Sequence, residues 1–387
     1  MDYLPLPGTP VEDLDTPAII VDLDIAESNI KAMADFAKEN DVSMRPHMKT
    51  GKSPFWARKL MDAGAIGVCA AKVGEAEILA DGGIPEILIP NQVVGTTKIR
   101  RLFGVAARSN VTVAVDSHEN VAELSEAAQA FGIELGVILE VETGMNRAGV
   151  EPGEVATTLA KAVESAKGLR FDGVMGFEGR TVWTEGFEKR KSETLKTIDR
   201  LLAAADDIES NGLEVKIISA GGTGSYDITG KVDRVTELQC GSYLFMDAKY
   251  MEVFGDHPHP FRTALTVLGT VTSRPVRGRA IADPGMKAVA TDVDKPKTVG
   301  IEGLMVRGMS EEHCVMTTEG EAENLKIGDK ITLLPMHSDT TIAQHDYYYC
   351  VRNGVLETIV ELTGRGRFMQ GRTMYNFRTH IPRSEKG

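Results

Sequence analysis

The sequence predicts an α/β fold: a (β/α)8 barrel of the TIM type followed by a second, mostly β C-terminal domain. Three observations predict it. Eight short β-branched runs lie between Met44 and Met246, the first seven are each followed by a helical pattern or a long loop, and beyond Met251 the texture changes to strand-like runs with few helical patterns. With 42 % hydrophobic residues in 387, the chain can bury a core for a large domain and a smaller one. The barrel is expected over 18–251 and the β-rich domain over 1–17 plus 252–387, the run "PAIIVDLD" being compatible with either.

In chain order, "PAIIVDLD" and the amphipathic "IAESNIKAMADFAKEN" bring the chain in from outside the barrel. The eight runs follow as "VSMRP", "IGVCAA", "EILIPN", "VTVAVDS", "LGVILEVE", "FDGVMGF", "VKIISAGG" and "ELQCGSYLF". Between them, Ser53-Pro54 is a cap and first-turn pair, and "EAEILADGG" ends in glycines suited to a C-cap. Leu195, Ile198, Leu201 and Leu202 fall at helical spacing within Glu185 to Gly212. "FGDHPHPF" is a turn-rich boundary, in which the His257 and His259 pair reads as part of a turn. "TALTVLGTVTSR", "RAIADPG", "LKIGDKITLLPMH" and "YYYCVRNGVLETIVEL" then supply strands of the second domain.

Composition excludes several function classes. A formal charge of −13 repels phosphate backbones and anionic membrane surfaces, so neither nucleic acid nor membrane is expected as a partner, while a local basic pocket stays allowed. Four cysteines far apart, with no C-x-x-C pair, suggest neither a disulfide framework nor a zinc ribbon. The N-terminus has no basic region followed by an apolar core, and no segment reaches the roughly 20 apolar residues of a membrane span. A soluble, cytoplasmic protein is expected.

Reactive groups of such barrels sit at the C-terminal ends of strands, with phosphate commonly held after strands seven and eight. The seventh run leads into "SAGGTGSY" and the eighth into "CGSY", where glycines let backbone N–H groups approach an anion and Thr223, Ser225 and Ser242 add hydroxyls. In "SMRPHMKTGKS" the first run delivers Lys49 to the same face. Two readings of it stand at this point: a surface charge, or the amine that forms a Schiff base with an aldehyde cofactor such as pyridoxal phosphate. "EVETGMNRAGV" places Arg147 over the barrel mouth, either as an ordinary loop arginine or as a partner of the cofactor ring oxygen. In the second domain, His337 and Asp339 share a face if they lie on a strand, which suits a divalent ion such as Mn²⁺, Mg²⁺ or Zn²⁺ as well as a solvated pair.

Taken together these residues resemble the fold type III pyridoxal-phosphate enzymes with the alanine-racemase-type barrel, in the group of D-threonine aldolase and D-serine dehydratase. "DTPAIIVDLD", "RPHMKTGK", "GVCAAKVGEAE", "EVETGMNRAGV", "GGTGSYD", "LQCGSYLFMD" and "HSDTTIAQHD" fall in family order over nearly the whole chain. The resemblance implies that Lys49 binds the cofactor aldehyde, that Arg147 faces the cofactor oxygen, and that Gly222, Thr223, Gly224, Gly241, Ser242 and Tyr243 hold the phosphate. It also implies a homodimer and a metal at His337 and Asp339. The spelling His337-Ser338-Asp339 is similar to the aldolases, where the dehydratases carry His-x-Cys. The implied reaction is therefore retro-aldol cleavage of a D-β-hydroxy-α-amino acid, resembling D-threonine or 3-hydroxyaspartate, to glycine and an aldehyde. Dehydration to a 2-oxo acid and ammonia is the alternative.

Three positions depart from the family pattern. Gly51 stands where a histidine is usual, and "MGFEGRTV" carries Phe177 and Arg180 where Tyr-x-Gly-His is usual. The histidine missing at 180 is a candidate base in the aldolases. His47 is the expected substitute, with Arg180 a candidate to pair with an extra substrate carboxylate.

Overall fold

The computed structural model describes residues 4–368. Strand β1 (Ala18–Asp22) and helix α1 (Leu23–Glu39) lead into β2 (Ser43–Met44), β3 (Val68–Cys69), β4 (Glu86–Gln92), β5 (Asn110–Val115), β6 (Leu135–Glu140), β7 (Leu169–Met175), β8 (Ile217–Ala220) and β9 (Glu237–Leu238). Strands β2 to β9 form one parallel eight-stranded sheet in the order β2-β9-β8-β7-β6-β5-β4-β3. A parallel bridge between His47 and Cys69, with bonds of 2.9 Å from Ile66 N to Met44 O and from Cys69 N to Pro46 O, all but closes the ring. Its strands are buried on both faces, as β-branched runs covered by helices must be.

Helices α2 (Met48–Gly51) and α3 (Pro54–Asp62) follow β2, and α4 (Val73–Asp81), α5 (Thr96–Ala106), α6 (His118–Phe131), α7 (Glu154–Ser165) and α8 (Phe187–Ser210) follow β3 to β7 in turn. Short α9 (Tyr226–Thr229) and α10 (Ala248–Phe254) follow β8 and β9. The capping expectations hold: Ser53 accepts the Phe55 N–H at 3.3 Å ahead of Pro54, and Gly82 caps α4. On α8, Ile198, Leu201, Ala205 and Ile208 form the buried stripe that its spacing predicts.

The second domain contains β10 (Leu265–Val276), β11 (Arg279–Ala282), β12 (Lys297–Val299), β13 (Leu304–Met309), β14 (Cys314–Thr318), β15 (Lys330–Leu334), β16 (Tyr347–Arg352) and β17 (Val355–Glu361), with α11 (Ser338–Ile342) between β15 and β16. These join β1 in a nine-stranded sheet. Strand β1 runs antiparallel to β10 and parallel to β16, with Ile19 opposite Val267 and Tyr348. The expected division at residue 18 put this strand with the barrel; the barrel ring has no open edge for it, and its buried residues Ala18 to Val21 need a ladder on each side. Of the expected second domain, residues 1–3 and 369–387 lie outside the described residues.

An aromatic cluster joins the two domains. Trp56 of α3 meets Phe245 edge-on at 5.1 Å and Tyr348 at 6.2 Å, and Phe245 lies 5.4 Å from Tyr348. Such pairs contribute roughly 0.5–1.5 kcal/mol each beyond the area they bury. Among the described residues, no helix is long and apolar enough to cross a membrane.

Candidate active site

Pro46 has no N–H for the ladder, so β2 ends there and the chain turns into α2. His47 caps this single turn: its Nδ1 accepts the Lys49 N–H at 3.3 Å, and Lys52, at a φ of 45°, ends it. Lys49 thus stands on a helical turn past the strand rather than at the strand end that its sequence suggests. Burial, with the Lys49 charge beside it, pushes His47 down to about 3, so the ring is neutral. From β16, the Tyr348 hydroxyl donates to the carbonyls of Thr50 and Gly51 at 3.1 and 3.2 Å and closes the end of the turn. A Cβ on Gly51 would lie 2.5 Å from Met48 Cε and 3.3 Å from Trp56 Cβ, so the histidine usual in the family would require the Met48 side chain to move.

The Lys49 side chain borders a cavity of about 170 Å³ at the C-terminal mouth of the barrel. His47, Arg147, Phe177, Gly222, Thr223, Gly241 and Ser242 line it, as does Tyr250 of α10. The N–H groups of Thr223 and Gly241 have no acceptor among the described residues, and with the Ser242 hydroxyl they make a donor set that fits a phosphate. Close packing holds these loops: a Cβ on Gly224 would lie 1.9 Å from Val182 O, and one on Gly241 would lie 2.6 Å from His47 O. Gly224 and Tyr243 do not line the cavity. Gly224 packs beneath it, and the buried Tyr243 ring leans on Phe261 while its N–H donates to Thr223 Oγ1 at 3.0 Å.

Beneath the glycine loop lies a carboxylate that the sequence did not single out. Buried Glu178 accepts the Gly221 N–H at 3.0 Å and the Ser225 hydroxyl at 3.3 Å, and it also accepts from Thr229 Oγ1. Burial raises its pKa against these bonds. Nearby, Arg147 reaches Glu140 at 3.3 Å and lies 5.7 Å from the centre of the Phe177 ring. Arg180 is exposed and does not line the cavity, so the structure does not bring it to Lys49. The turn after Glu178 carries it outward instead.

The second domain sends Asp339 to the same lysine. Asp339 Oδ2 is 3.6 Å from Lys49 Nζ, and Asp339 Oδ1 accepts the Thr50 hydroxyl at 2.6 Å. Burial opposes its charge, but Lys49, the Thr50 bond, His337 and Lys52 together hold its carboxyl below the ordinary range. His337 is the residue before α11 and Asp339 lies in its first turn, so they do not share a strand face. His337 Nδ1 instead lies 2.7 Å from Asp292 Oδ2, with the Trp183 ring edge-on at 5.6 Å. No group of three or more His, Cys, Asp or Glu side chains that could hold an ion occurs among the described residues. In this structure His337 is engaged by Asp292, and Asp339 by Lys49 and Thr50.

Asn91, Gln239 and Tyr250 also line the cavity without having been singled out. A signal was present for two of them: Asn91 ends the run "EILIPN" and Gln239 lies within "ELQCGSYLF", directly after strand β9, where barrel chemistry is placed.

Comparison with known proteins agrees with this fold. The model of the alanine racemase N-terminal domain matches residues 21–249, and that of a putative serine dehydratase domain matches 264–351. The chain is 38 % identical over 374 residues to a 3-hydroxy-D-aspartate aldolase of Paracoccus denitrificans, covering 95 % of this chain and 96 % of that protein. It is 35 % identical over 361 residues to a D-threonine aldolase of Arthrobacter, covering 93 % and 95 %. The crystal structure of D-threonine aldolase from Filomicrobium marinum superposes with a TM-score of 0.91 at 38 % identity, covering 94 % of this chain and all of that one. From its barrel, its second domain and these likenesses, the chain belongs to the alanine racemase N-terminal domain family, in the group that includes D-threonine aldolase and 3-hydroxy-D-aspartate aldolase.

Proposed function

We propose that this protein is a pyridoxal-phosphate-dependent carbon–carbon lyase that cleaves D-β-hydroxy-α-amino acids to glycine and an aldehyde. The observation that supports it most is the placement of Lys49, 3.6 Å from Asp339 and bordering a cavity whose far side is a phosphate-type donor set. Bound there, pyridoxal phosphate would supply an aldehyde for amines and a sink for the electron pair released on bond cleavage. Lys49 is the residue that would hold the aldehyde, Arg147 the ring oxygen, and the loops at Gly222, Thr223, Gly224, Gly241, Ser242 and Tyr243 the phosphate.

The chain's own groups have distinct tasks. His47 is neutral and turns the Lys49 backbone toward the cavity, which makes it a positioning residue. Asp339, kept ionised by its neighbours, holds the Lys49 ammonium and gives it a counter-charge at Oδ2. In the reaction the β-hydroxyl loses its proton, the Cα–Cβ bond breaks to free an aldehyde, and Cα gains a proton to give glycine. Arg180, exposed, takes no part in this scheme.

For the divalent ion that the resemblance implies, whether Mn²⁺, Mg²⁺ or Zn²⁺, His337 and Asp339 would be protein ligands only after giving up Asp292 and Lys49. A cytoplasmic homodimer is the assembly carried with this proposal. Dehydration is the second reading, and the carboxylate of Asp339 where a dehydratase has a thiolate speaks against it. Incubating the cofactor-loaded protein with D-threonine and with D-3-hydroxyaspartate decides between them. Glycine with an aldehyde is expected; ammonia and a 2-oxo acid without glycine would overturn the proposal.

A further inference from the structure

A second cavity, of about 480 Å³, opens on the other side of Lys49. Lys52, Lys72, Arg365 and Arg367 line it with Lys49, against the single carboxylate of Glu75. Five cations around one acid stand out in a chain of net charge −13. Three of them are already paired: Lys49 with Asp339, Lys52 Nζ with Glu75 at 3.2 Å, and Arg365 with Asp346. Arg367 donates Nε–H to Thr363 O at 2.8 Å, and neither it nor the exposed Lys72 has a carboxylate partner among the described residues.

The wall that carries Arg367 is built into the fold. Beyond β17, the Gly364 N–H donates to Lys52 O at 2.8 Å, and a Cβ on Gly364 would lie 2.9 Å from that oxygen. At the start of α4, a Cβ on Gly74 would lie 2.1 Å from Arg367 O. Backbone therefore lies directly on backbone at both ends of the segment, a contact that only glycine permits. This docking fixes Arg367 beside α4 and makes the C-terminal segment one side of a cavity that Lys49 shares with the phosphate-type site.

Resting on the proposed cleavage, we propose that this cationic cavity receives the side-chain carboxylate of the substrate, with Arg367 and Lys72 as its readers, so that the preferred substrates are dicarboxylic D-β-hydroxy amino acids. A substrate whose amine lies beside Lys49 has its remaining groups within reach of the same cavity. A guanidinium and an ammonium without acid partners among the described residues can take a carboxylate without breaking an ion pair there. The field of the cluster also draws a net-anionic dicarboxylate toward a protein that otherwise repels it. The role that the sequence suggested for Arg180 falls to Arg367.

The test compares kcat/KM for glycine release from D-3-hydroxyaspartate and from D-threonine in the parent and in Arg367→Gln, Lys72→Gln and the double variant. The ratio of the two values is expected to fall at least about tenfold in the double variant and to recover partly in Arg367→Lys. Gly74→Ala, which displaces the segment without touching a charge, is expected to lower the same ratio. An unchanged ratio, whether both substrates suffer equally or neither does, overturns the proposal. Titration calorimetry with D-malate, a dicarboxylate that cannot be cleaved, separates this inference from the reaction on which it rests. Binding by the parent and at least about tenfold weaker binding by Arg367→Gln supports the carboxylate site even if no glycine forms, whereas equal binding sinks it.

Discussion

Glu142 shows how single residues hold this site open for chemistry. Its carboxyl gathers the N–H groups of Gly144 and Arg147 and so shapes the loop that presents Arg147. Burial works against the charge, but the backbone N–H groups of residues 144 to 147 outweigh it and hold the pKa below the ordinary 4.5. A depressed folded-state pKa contributes stability that is present above the unfolded value and is lost as pH falls through the folded one. Glu142→Gln is therefore expected to lower the melting temperature at neutral pH, with the gap to the parent closing as the pH drops below about 4.5. Melting curves over that range check it, and a pH-independent gap would contradict it. At this scale the sequence was legible where one residue type in one place carries a chemistry. Lys49 and the glycine loops were singled out because the strand ends of a barrel leave few alternatives, and the structure brings them to one cavity. Thr50, Asp292 and Tyr348 were not, because their roles come from contacts between residues far apart in the chain.

Among the elements, the loop from β8 to α9 depends most on a support outside itself. Glu178→Ala would leave the Gly221 N–H and the hydroxyls of Ser225 and Thr229 without their shared acceptor. A loss of about 2–3 kcal/mol in unfolding free energy is expected, together with weaker retention of pyridoxal phosphate on dialysis. Full stability and full retention in that variant would remove Glu178 from this role. The long helices and strands β4 to β7 could be read from periodicity, since each is long enough to show a repeat. The shortest pieces could not. Strands β2, β3 and β9 are two residues each, and the run "VSMRP" yields only Ser43–Met44 before Pro46 turns the chain into α2. The same limit hid the real setting of His337 and Asp339, which "LLPMHSD" continues from a strand into a helical turn.

For the molecule as a whole, the two sheets behave as one unit because their shared contacts are buried. Asn29 of α1 donates Nδ2 to the carbonyls of Leu244 and Arg262, at 3.3 and 2.7 Å, and accepts the Arg262 N–H at 2.9 Å. Asn29→Ala is expected to cost about 2 kcal/mol or more and to leave a single unfolding transition, read by far-UV circular dichroism and tryptophan fluorescence together. Two separated transitions in the parent would show that the domains are energetically independent. The division of domains at residue 18 could not be settled in the sequence, because a β-branched run states that it needs partners without saying which. The place of β1 between β10 and β16 also orders events in time. During synthesis Ala18–Asp22 leaves the ribosome first, yet its ladder partners follow only at Leu265 and Tyr347, so the strand waits unpaired while the barrel between them is made. The Lys49 turn waits with it, since its lid of Tyr348 and its counter-charge Asp339 are among the last residues to emerge. A barrel made before α11 and β16 thus still lacks the hydroxyl that closes the Lys49 turn and the carboxylate that faces its amine.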